Sequence, residues 1–184
     1  MGYVLALKQT QESYKGFWDP IVQEGFAYLG RPPKVDEPSE RSLIRVDRSS
    51  RLEYPFFKKS LRYPHYENVG PPCYSALTTA LWLDDNQSKG KPTDGHSLQN
   101  DLERTGLLRW CASLHDLLEI KRNYSIFVRD FPSSSIVAWK SVIVNEGEVM
   151  FVPCLKMVTG RLYIRYLPLG FAFGTSTGAL LLPE

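Results

Sequence analysis

The chain has 184 residues and a formal net charge of +2, with 43% hydrophobic, 12% aromatic and 23% charged residues. This length suits one domain with a substantial core, and the composition excludes a disordered or fibrous chain. We therefore expect a single folded domain over residues 1–184.

The cysteines indicate a reducing compartment. Cys73, Cys111 and Cys154 form neither a C-x-x-C pair nor an even set, which favours free thiols over a disulfide framework. The apolar start of the chain is too short for a signal peptide, and no apolar run reaches the length of a membrane span. We predict an intracellular protein, cytoplasmic or nuclear, that needs no cofactor.

The first half of the chain predicts helices and short edge strands. Apolar residues at spacings of three and four favour an amphipathic helix over residues 11–29. Alternation and aromatic content favour two short strands at 42–47 and 52–57, which nearby Tyr-Pro pairs would confine to a sheet edge. The apolar residues that follow two prolines predict a further helix over 76–83.

The second half predicts helices and then consecutive strands. Residues 84–97 are rich in Asn, Asp, Ser and Gly and predict an exposed loop. Residues 97–121 carry two apolar stripes that are out of phase across Gly106, which indicates two helices or one kinked helix. The β-branched and aromatic segments that come next predict strands at 124–130, 135–144, 148–158 and 161–167.

Helices followed by strands with short connections predict an α+β fold. In this arrangement the N-terminal and central helices pack on one face of a C-terminal antiparallel β-meander.

The tail, 170–184, spaces three glycines by four residues and contains Leu180, Leu181 and Leu182 in succession. Exposed leucines mark contact sites, so we predict a C-terminal arm that docks on a second copy of the chain and makes a homo-oligomer.

Positive charge is concentrated in one stretch. Residues 41–62 hold seven basic and two acidic residues, a local charge of +5. Aromatic residues are interleaved with the cations, a pattern typical of surfaces that bind phosphates and stack on bases or enter lipid headgroups. We predict a face that binds nucleic acid or an anionic membrane surface through Arg45, Arg48, Arg51, Lys58, Lys59 and Arg62.

Cys73 is the candidate nucleophile. A thiol at the start of the helix predicted over 76–83 would have its pKa lowered by the helix dipole. The Cys73-Tyr74 pair before a helix resembles the catalytic cysteine of papain-like viral leader proteases, and the resemblance implies a thiol hydrolase with a histidine base. His115 and His96 are the candidates for that base. The alternative interpretation is a small buried thiol.

Two of the cysteines and two of the histidines also suggest a zinc site, with core packing as the alternative interpretation. Cys111 and His115, four residues apart, suit one edge of a tetrahedral site that Cys73 and His96 would close. The sequence has no second closely spaced pair, and Cys111 falls in the apolar stripe of its predicted helix. Core packing is the favoured interpretation, and we predict no metal.

The residues Pro71-Pro72-Cys73-Tyr74 match the P-P-x-Y pattern that WW domains bind. In this they resemble the tetrapeptide of viral matrix proteins, which implies docking through Pro71, Pro72 and Tyr74. The alternative interpretation is a proline that starts a helix.

The sequence favours binding over catalysis, because no pair of titratable residues has the spacing of a catalytic site. We predict a non-enzymatic interaction or assembly protein, matrix-like and encoded by a virus or mobile element, that self-associates and contacts an anionic partner. Two alternatives stay open: the Cys73-dependent hydrolase and an adaptor that docks a WW-type domain.

Overall fold

The computed structural model describes residues 43–131 and 134–183. The helix expected over residues 11–29 lies outside these ranges. In the part of the chain that is described, no helix combines the length and the apolar character needed to cross a membrane.

Short elements dominate the described chain, and both helices and strands are present, as the α+β class requires. The strands are β1 Leu43–Arg45, β2 Ser60–Leu61, β3 Cys73–Ser75, β4 Ala80–Trp82, β5 Thr93–Asp94, β6 Ser135–Val137, β7 Ile143–Val144, β8 Met150–Val158, β9 Arg161–Pro168, β10 Ala172–Phe173 and β11 Thr177–Leu181. The α-helices are α1 Asp85–Ser88, α2 Gly95–Arg104, α3 Leu114–Arg122 and α4 Tyr124–Asp130. Single 3₁₀ turns cover Ala76–Thr78, Leu107–Trp110 and Trp139–Ser141.

Seven of the described strands form one mixed sheet built around β8. The expected C-terminal antiparallel meander is therefore wrong, because β11 inserts beside β6 in parallel and only β8 and β9 form a long consecutive hairpin. β9 pairs with β8 along one edge, while β6 and β7 pair with separate stretches of its other edge. β11 lies between β6, to which it is parallel, and β4, to which it is antiparallel. β2 extends the sheet beyond β7. Two smaller antiparallel pairs, β1 with β3 and β5 with β10, lie outside this sheet.

Helices cover both faces of the sheet. Side chains alternate between faces along a strand, and neighbouring strand residues such as Leu180 and Leu181 belong to different core clusters. One cluster contains residues of α3 and α4, and the other contains residues of α2. The expectation of helices on a single face is therefore wrong, because both faces of the strands are apolar and each needs a cover.

Two local predictions are confirmed. The chain breaks its helical run at Gly106, which has φ of +69° and separates α2 from the 3₁₀ turn Leu107–Trp110. The β8–β9 hairpin turns at Thr159 and Gly160, both with positive φ, and its strands match the predicted segments 148–158 and 161–167 to within two residues.

Three segments were assigned the wrong type of structure. Residues 52–57 form no strand, because Tyr54 and Pro55 lead into a turn at 56–57. Residues 124–130 form α4 rather than a strand, because Ile126 and Phe127 meet the core on one side of a helix and Tyr124 and Val128 remain exposed. Residues 76–83 form a 3₁₀ turn and a strand rather than a helix. The hydroxyl of Thr79 donates to the Ala76 carbonyl and ends the turn, after which β4 pairs with β11.

The segment 84–97 is exposed over much of its length but is not an irregular loop. It contains α1, which begins at Asp84 with a capping box to Gln87, and β5. Gln87 is buried, and its side-chain amide donates to the carbonyls of Gly174 and Thr177, which ties α1 to the last strand.

The tail is part of the core and is not an arm. β11 lies between two strands of the sheet, and Leu180, Leu181 and Leu182 are all buried against the same chain. The expectation that these leucines are free to dock on a second copy is therefore corrected. The sequence pattern was misleading because the glycines serve close packing: a Cβ on Gly178 would lie 2.7 Å from Cγ of Leu81.

Candidate functional site

The fold separates the basic residues that the sequence placed on one face. Arg45 and Arg62 are exposed, and Lys59 is exposed and paired with Glu148. Arg48 instead points inward, with a side chain only 10% exposed. The six cations therefore do not form one continuous surface, and Arg48, Arg51 and Lys58 are drawn together around a cavity.

Arg48 enters the protein to meet Asp116, the third residue of α3. Its Nη2 donates to Asp116 Oδ1 at 2.8 Å and its Nη1 donates to Oδ2 at 3.2 Å. Nη1 also donates to the Ser113 hydroxyl, and Nη2 donates to the Pro71 carbonyl. Asp116 is completely buried, so this two-point ion pair is the anchor of the segment that follows β1.

Asp116 also caps the start of α3 and accepts a hydrogen bond from Tyr74. Its Oδ2 accepts from the backbone N–H and the hydroxyl of Ser113, which completes a capping box, and Oδ1 accepts from the Tyr74 hydroxyl. Both oxygens of the carboxylate therefore accept more than one hydrogen bond. A cation, a helix cap and a buried tyrosine all depend on this one side chain.

Gly70 makes room for the guanidinium of Arg48. A Cβ at Gly70 would lie 2.5 Å from Arg48 Nη2, closer than any ordinary contact, and that nitrogen is held in place by Asp116. Only glycine lets the backbone pass this close.

An open cavity of about 610 Å³ lies beneath the segment that Arg48 anchors. Arg48, Arg51 and Lys58 are in its wall. Asp116 neutralises Arg48, whereas Arg51 forms no ion pair with any described residue. The remaining walls are formed by Ser49, Ser50, Leu52, Tyr54, Pro55, Glu67, Asn68 and His115.

Glu67 is the buried carboxylate of the cavity, with 4% of the residue exposed. Its Oε1 accepts from the Ser141 hydroxyl at 2.8 Å, and that hydroxyl oxygen accepts from the Leu114 backbone N–H at 2.6 Å. The Tyr54 hydroxyl lies beside the carboxylate and is its second hydrogen-bond partner. Burial raises the pKa of Glu67, and the hydrogen bonds from Tyr54 and Ser141 partly oppose this rise.

Tyr54 lies beside Glu67. Burial, followed by the negative charge of Glu67, raises the pKa of Tyr54, so the phenol stays protonated. Lys58 lies over the ring, with Nζ 3.8 Å from the centroid, a cation–π contact.

Two more basic groups border the site. His115 is buried, and burial followed by the charge of Arg48 lowers its pKa; its Nε2 lies 3.0 Å from Asn68 Oδ1. Lys140 is 1% exposed, and its ammonium donates to the Val69 carbonyl at 2.8 Å. Burial lowers the pKa of Lys140 to about 8.

The arrangement suits recognition of an anion. Arg51 and Lys58 supply positive charge to the wall of the cavity, and Asn68, Ser49 and Ser50 supply polar groups. Ionisable groups with shifted pKa values in the wall of a cavity are typical of functional sites, and Glu67, Tyr54 and His115 all meet this description.

The residues of the thiol hydrolase hypothesis are not arranged as its mechanism needs. Cys73 begins strand β3, not a helix, and is exposed, so no helix dipole acts on its thiol. His115 is a candidate base whose Nε2 is already hydrogen-bonded to Asn68, in a cavity whose wall does not include Cys73. His96 lies on the exposed side of α2.

The structure also argues against the zinc site suggested by Cys111 and His115. Cys111 is completely buried, its thiol donates to the Leu107 carbonyl, and burial raises its pKa to about 12. Among the described residues, no group of three or more His, Cys, Asp or Glu side chains is placed to hold a metal ion.

The Pro-Pro-x-Tyr stretch is used inside the fold. Tyr74, which a WW domain would need to reach, is 4% exposed and donates to Asp116. The carbonyls of Pro71 and Pro72 accept from Arg48 and from the Val46 backbone N–H. These contacts argue against the docking hypothesis, because binding a partner would break the anchor of Arg48.

Sequence reasoning missed Glu67, Asp116 and Lys140. A usable signal existed for two of them: Asp116 interrupts the apolar run of α3, and Lys140 is the single charge between Ser134 and Val144. A charge within an apolar segment indicates a buried partner. Nothing in the sequence singles out Glu67, whose burial depends on the cavity.

Comparison with known proteins found no match: no family model, no curated protein and no solved structure resembles the chain closely enough to be reported.

Proposed function

We propose that the protein is a non-enzymatic binding domain that holds an anionic group, such as a phosphate, in the cavity between Arg51 and Lys58. The observation that carries this proposal is the anchored Arg48, which fixes the segment bearing both cations over a cavity large enough for a small ligand. The phosphate can belong to a small molecule, a nucleic acid or a lipid.

The sequence predicts that six basic residues contact the anionic partner, whereas the proposal assigns the direct contacts to the cavity alone. Arg45, Lys59 and Arg62 lie outside the cavity wall, so they are expected to contribute long-range attraction and no direct contact. The self-association expected from the tail has no support from the described leucines, which are buried.

Isothermal titration of the full chain with inorganic pyrophosphate tests the proposal. We expect Arg51→Gln and Lys58→Gln each to weaken binding by about fivefold or more, since each removes a charge-assisted hydrogen bond. Arg62→Gln is the matched control, an exposed cation of the same segment outside the cavity, and should change the affinity by less than about twofold. Equal effects of all three substitutions would reject the cavity as the site.

A second candidate partner is an anionic membrane surface, and one observation favours it. Phe56 is fully exposed and lies in the turn that directly precedes Lys58 and Lys59. An exposed aromatic residue beside lysines can enter a lipid headgroup layer. Phe56→Ser should then reduce binding to phosphatidylserine vesicles and leave pyrophosphate binding unchanged; vesicle binding that is insensitive to this substitution rejects the membrane role.

A further inference from the structure

Strand β9 leaves one edge of the main sheet open. It pairs with β8 over its whole length, and no other described strand pairs with it. The Leu169 N–H donates to the Met150 carbonyl, and hydrogen-bonded pairs alternate along an antiparallel ladder. The backbone groups of Leu162, Ile164 and Tyr166 therefore point away from β8, and they have no hydrogen-bond partner in the described part of the chain. Such an edge is a template for a further strand.

One face of this edge is basic. Lys156, Arg161 and Arg165 are exposed, and the register places them on the same face of the β8–β9 hairpin as the exposed ring of Tyr163. None of these three cations forms an ion pair with a described residue. We call the three cations and Tyr163 the basic strip.

The opposite face of the edge is apolar. The side chains of Leu162 and Ile164 lie against the core cluster that contains residues of α3 and α4. A strand added to the edge would place alternate side chains over the basic strip and beside Ile164. The edge therefore suits a peptide in which acidic and apolar residues alternate.

A second copy of the chain suits this edge poorly. Antiparallel pairing of β9 with its own copy would bring Arg161 and Arg165 of both copies onto one face, where like charges repel. The same repulsion protects a free edge from self-aggregation. An acidic partner turns this repulsion into attraction.

We propose that the free edge of β9 binds an acidic peptide segment of another protein as an added β-strand. The peptide backbone pairs with Leu162, Ile164 and Tyr166, and its carboxylates lie at Arg161 and Arg165. Main-chain hydrogen bonds hold the peptide, and the basic strip selects its charge. No residue of the strip is in the wall of the anion cavity, so this inference does not depend on the proposed function.

Fluorescence anisotropy of labelled peptides with the full chain tests the charge requirement. The probe is a terminally blocked heptapeptide that alternates Val and Glu, and its matched control alternates Val and Lys. We expect the Glu peptide to bind about tenfold or more tightly than the Lys peptide. Equal affinities would overturn the proposal.

Substitutions in the basic strip locate the carboxylates. Arg161→Gln combined with Arg165→Gln should weaken binding of the Glu peptide about fourfold or more, because two exposed ion pairs are lost. Arg62→Gln removes an exposed arginine next to β2, which is not paired with β9, and should change the affinity by less than about twofold. Equal losses in the two variants contradict binding at the strip.

Proline at position 164 tests the backbone pairing. The Ile164 N–H points away from β8, so Ile164→Pro removes no bond of the β8–β9 ladder and blocks the edge. We expect it to weaken binding about tenfold or more. Ile164→Ala, which keeps the N–H, should stay within about twofold of the wild type. A folded Ile164→Pro variant that binds as the wild type does overturns the proposal.

A methylated peptide covers the case in which Ile164→Pro does not fold. The Glu peptide with every amide nitrogen methylated keeps its charge and cannot donate hydrogen bonds to the edge. It should bind the wild type about tenfold or more weakly than the unmethylated peptide. Equal binding of the two peptides would show that charge alone acts.

Two other occupants of the edge are outcomes of the same experiments. Cations around an exposed tyrosine also suit single-stranded nucleic acid, so binding of a thymidine oligonucleotide without binding of the Glu peptide overturns the proposal. A dimer in sedimentation velocity that Ile164→Pro abolishes assigns the edge to a second copy and overturns it as well. Binding of the Glu peptide that is lost on methylation supports the added strand.

Discussion

Arg48 and Asp116 are 68 residues apart in the chain and form a two-point ion pair, with the shorter contact 2.8 Å from Nη2 to Oδ1. The pair links the segment after β1 to the first turn of α3 and fixes Arg48 in the wall of the cavity. Removal of this ion pair should lower the free energy of unfolding and weaken anion binding.

We expect Arg48→Ala to lower the free energy of unfolding by about 3–5 kcal/mol, because it leaves the buried Asp116 charge without its partner. Chemical denaturation measures this change. Lys59→Ala, which breaks an exposed ion pair with Glu148, is the control and should cost less than about 1 kcal/mol. Similar losses in the two variants would show that the buried pair is not the anchor.

Alanine substitution of two tail glycines should affect the free energy of unfolding to different extents. Gly178→Ala should destabilise the protein by about 1–3 kcal/mol, because the new Cβ would lie 2.7 Å from Cγ of Leu81 and 2.9 Å from the Trp82 carbonyl. Gly174→Ala places its Cβ in open space and should change stability by less than about 0.5 kcal/mol. Equal tolerance at both positions would mean that β11 does not pack between β4 and β6.

Lys140 should make stability depend on pH. Its pKa is lowered from the usual value to about 8 in the folded protein, so between pH 8 and 9.5 the unfolded chain holds more protons at this site and stability rises. Buried thiols at Cys111 and Cys154 act in the opposite direction, since burial raises the pKa of each to about 12.

A comparison with Lys140→Met isolates the lysine. The difference in unfolding free energy, wild type minus variant, should increase with pH over this window by up to about 1.4 kcal/mol per unit. A difference that is flat or falls with pH contradicts the burial of a protonatable Lys140.

Thiol labelling separates the three cysteines. Cys73 is exposed and should react with a thiol reagent in the folded protein at the rate of an ordinary cysteine, whereas buried Cys111 and Cys154 should react only on unfolding. Cys73→Ala should leave both pyrophosphate binding and stability nearly unchanged. Rapid, selective labelling of Cys73 at pH 6, with loss of function, would restore the hydrolase hypothesis.

The parts of the fold that local chemistry determines were predictable from the sequence. The break at Gly106 and the Thr159-Gly160 turn depend on backbone conformations that these residues signal directly. The α4 segment was not predictable in this way, because its β-branched residues favour a strand and the core contacts of Phe127 decide otherwise.

Most of the site was beyond the reach of the sequence for a related reason. Arg48 and Arg51 were identified as anion-binding candidates, but their different roles depend on Asp116, which lies far along the chain. Glu67 is distinctive only because Ser141 and Tyr54 enclose it. Long-range contacts of this kind leave no periodic signal.

A crystal structure of the protein grown with tungstate, an anomalous scatterer that stands in for phosphate, tests the central claim most directly. We predict the strongest anomalous peak inside the cavity, with tungstate oxygens about 2.7–2.9 Å from the Arg51 guanidinium and the Lys58 ammonium. An empty cavity in crystals that bind tungstate elsewhere, for example at Arg45 or Arg62, would contradict the account.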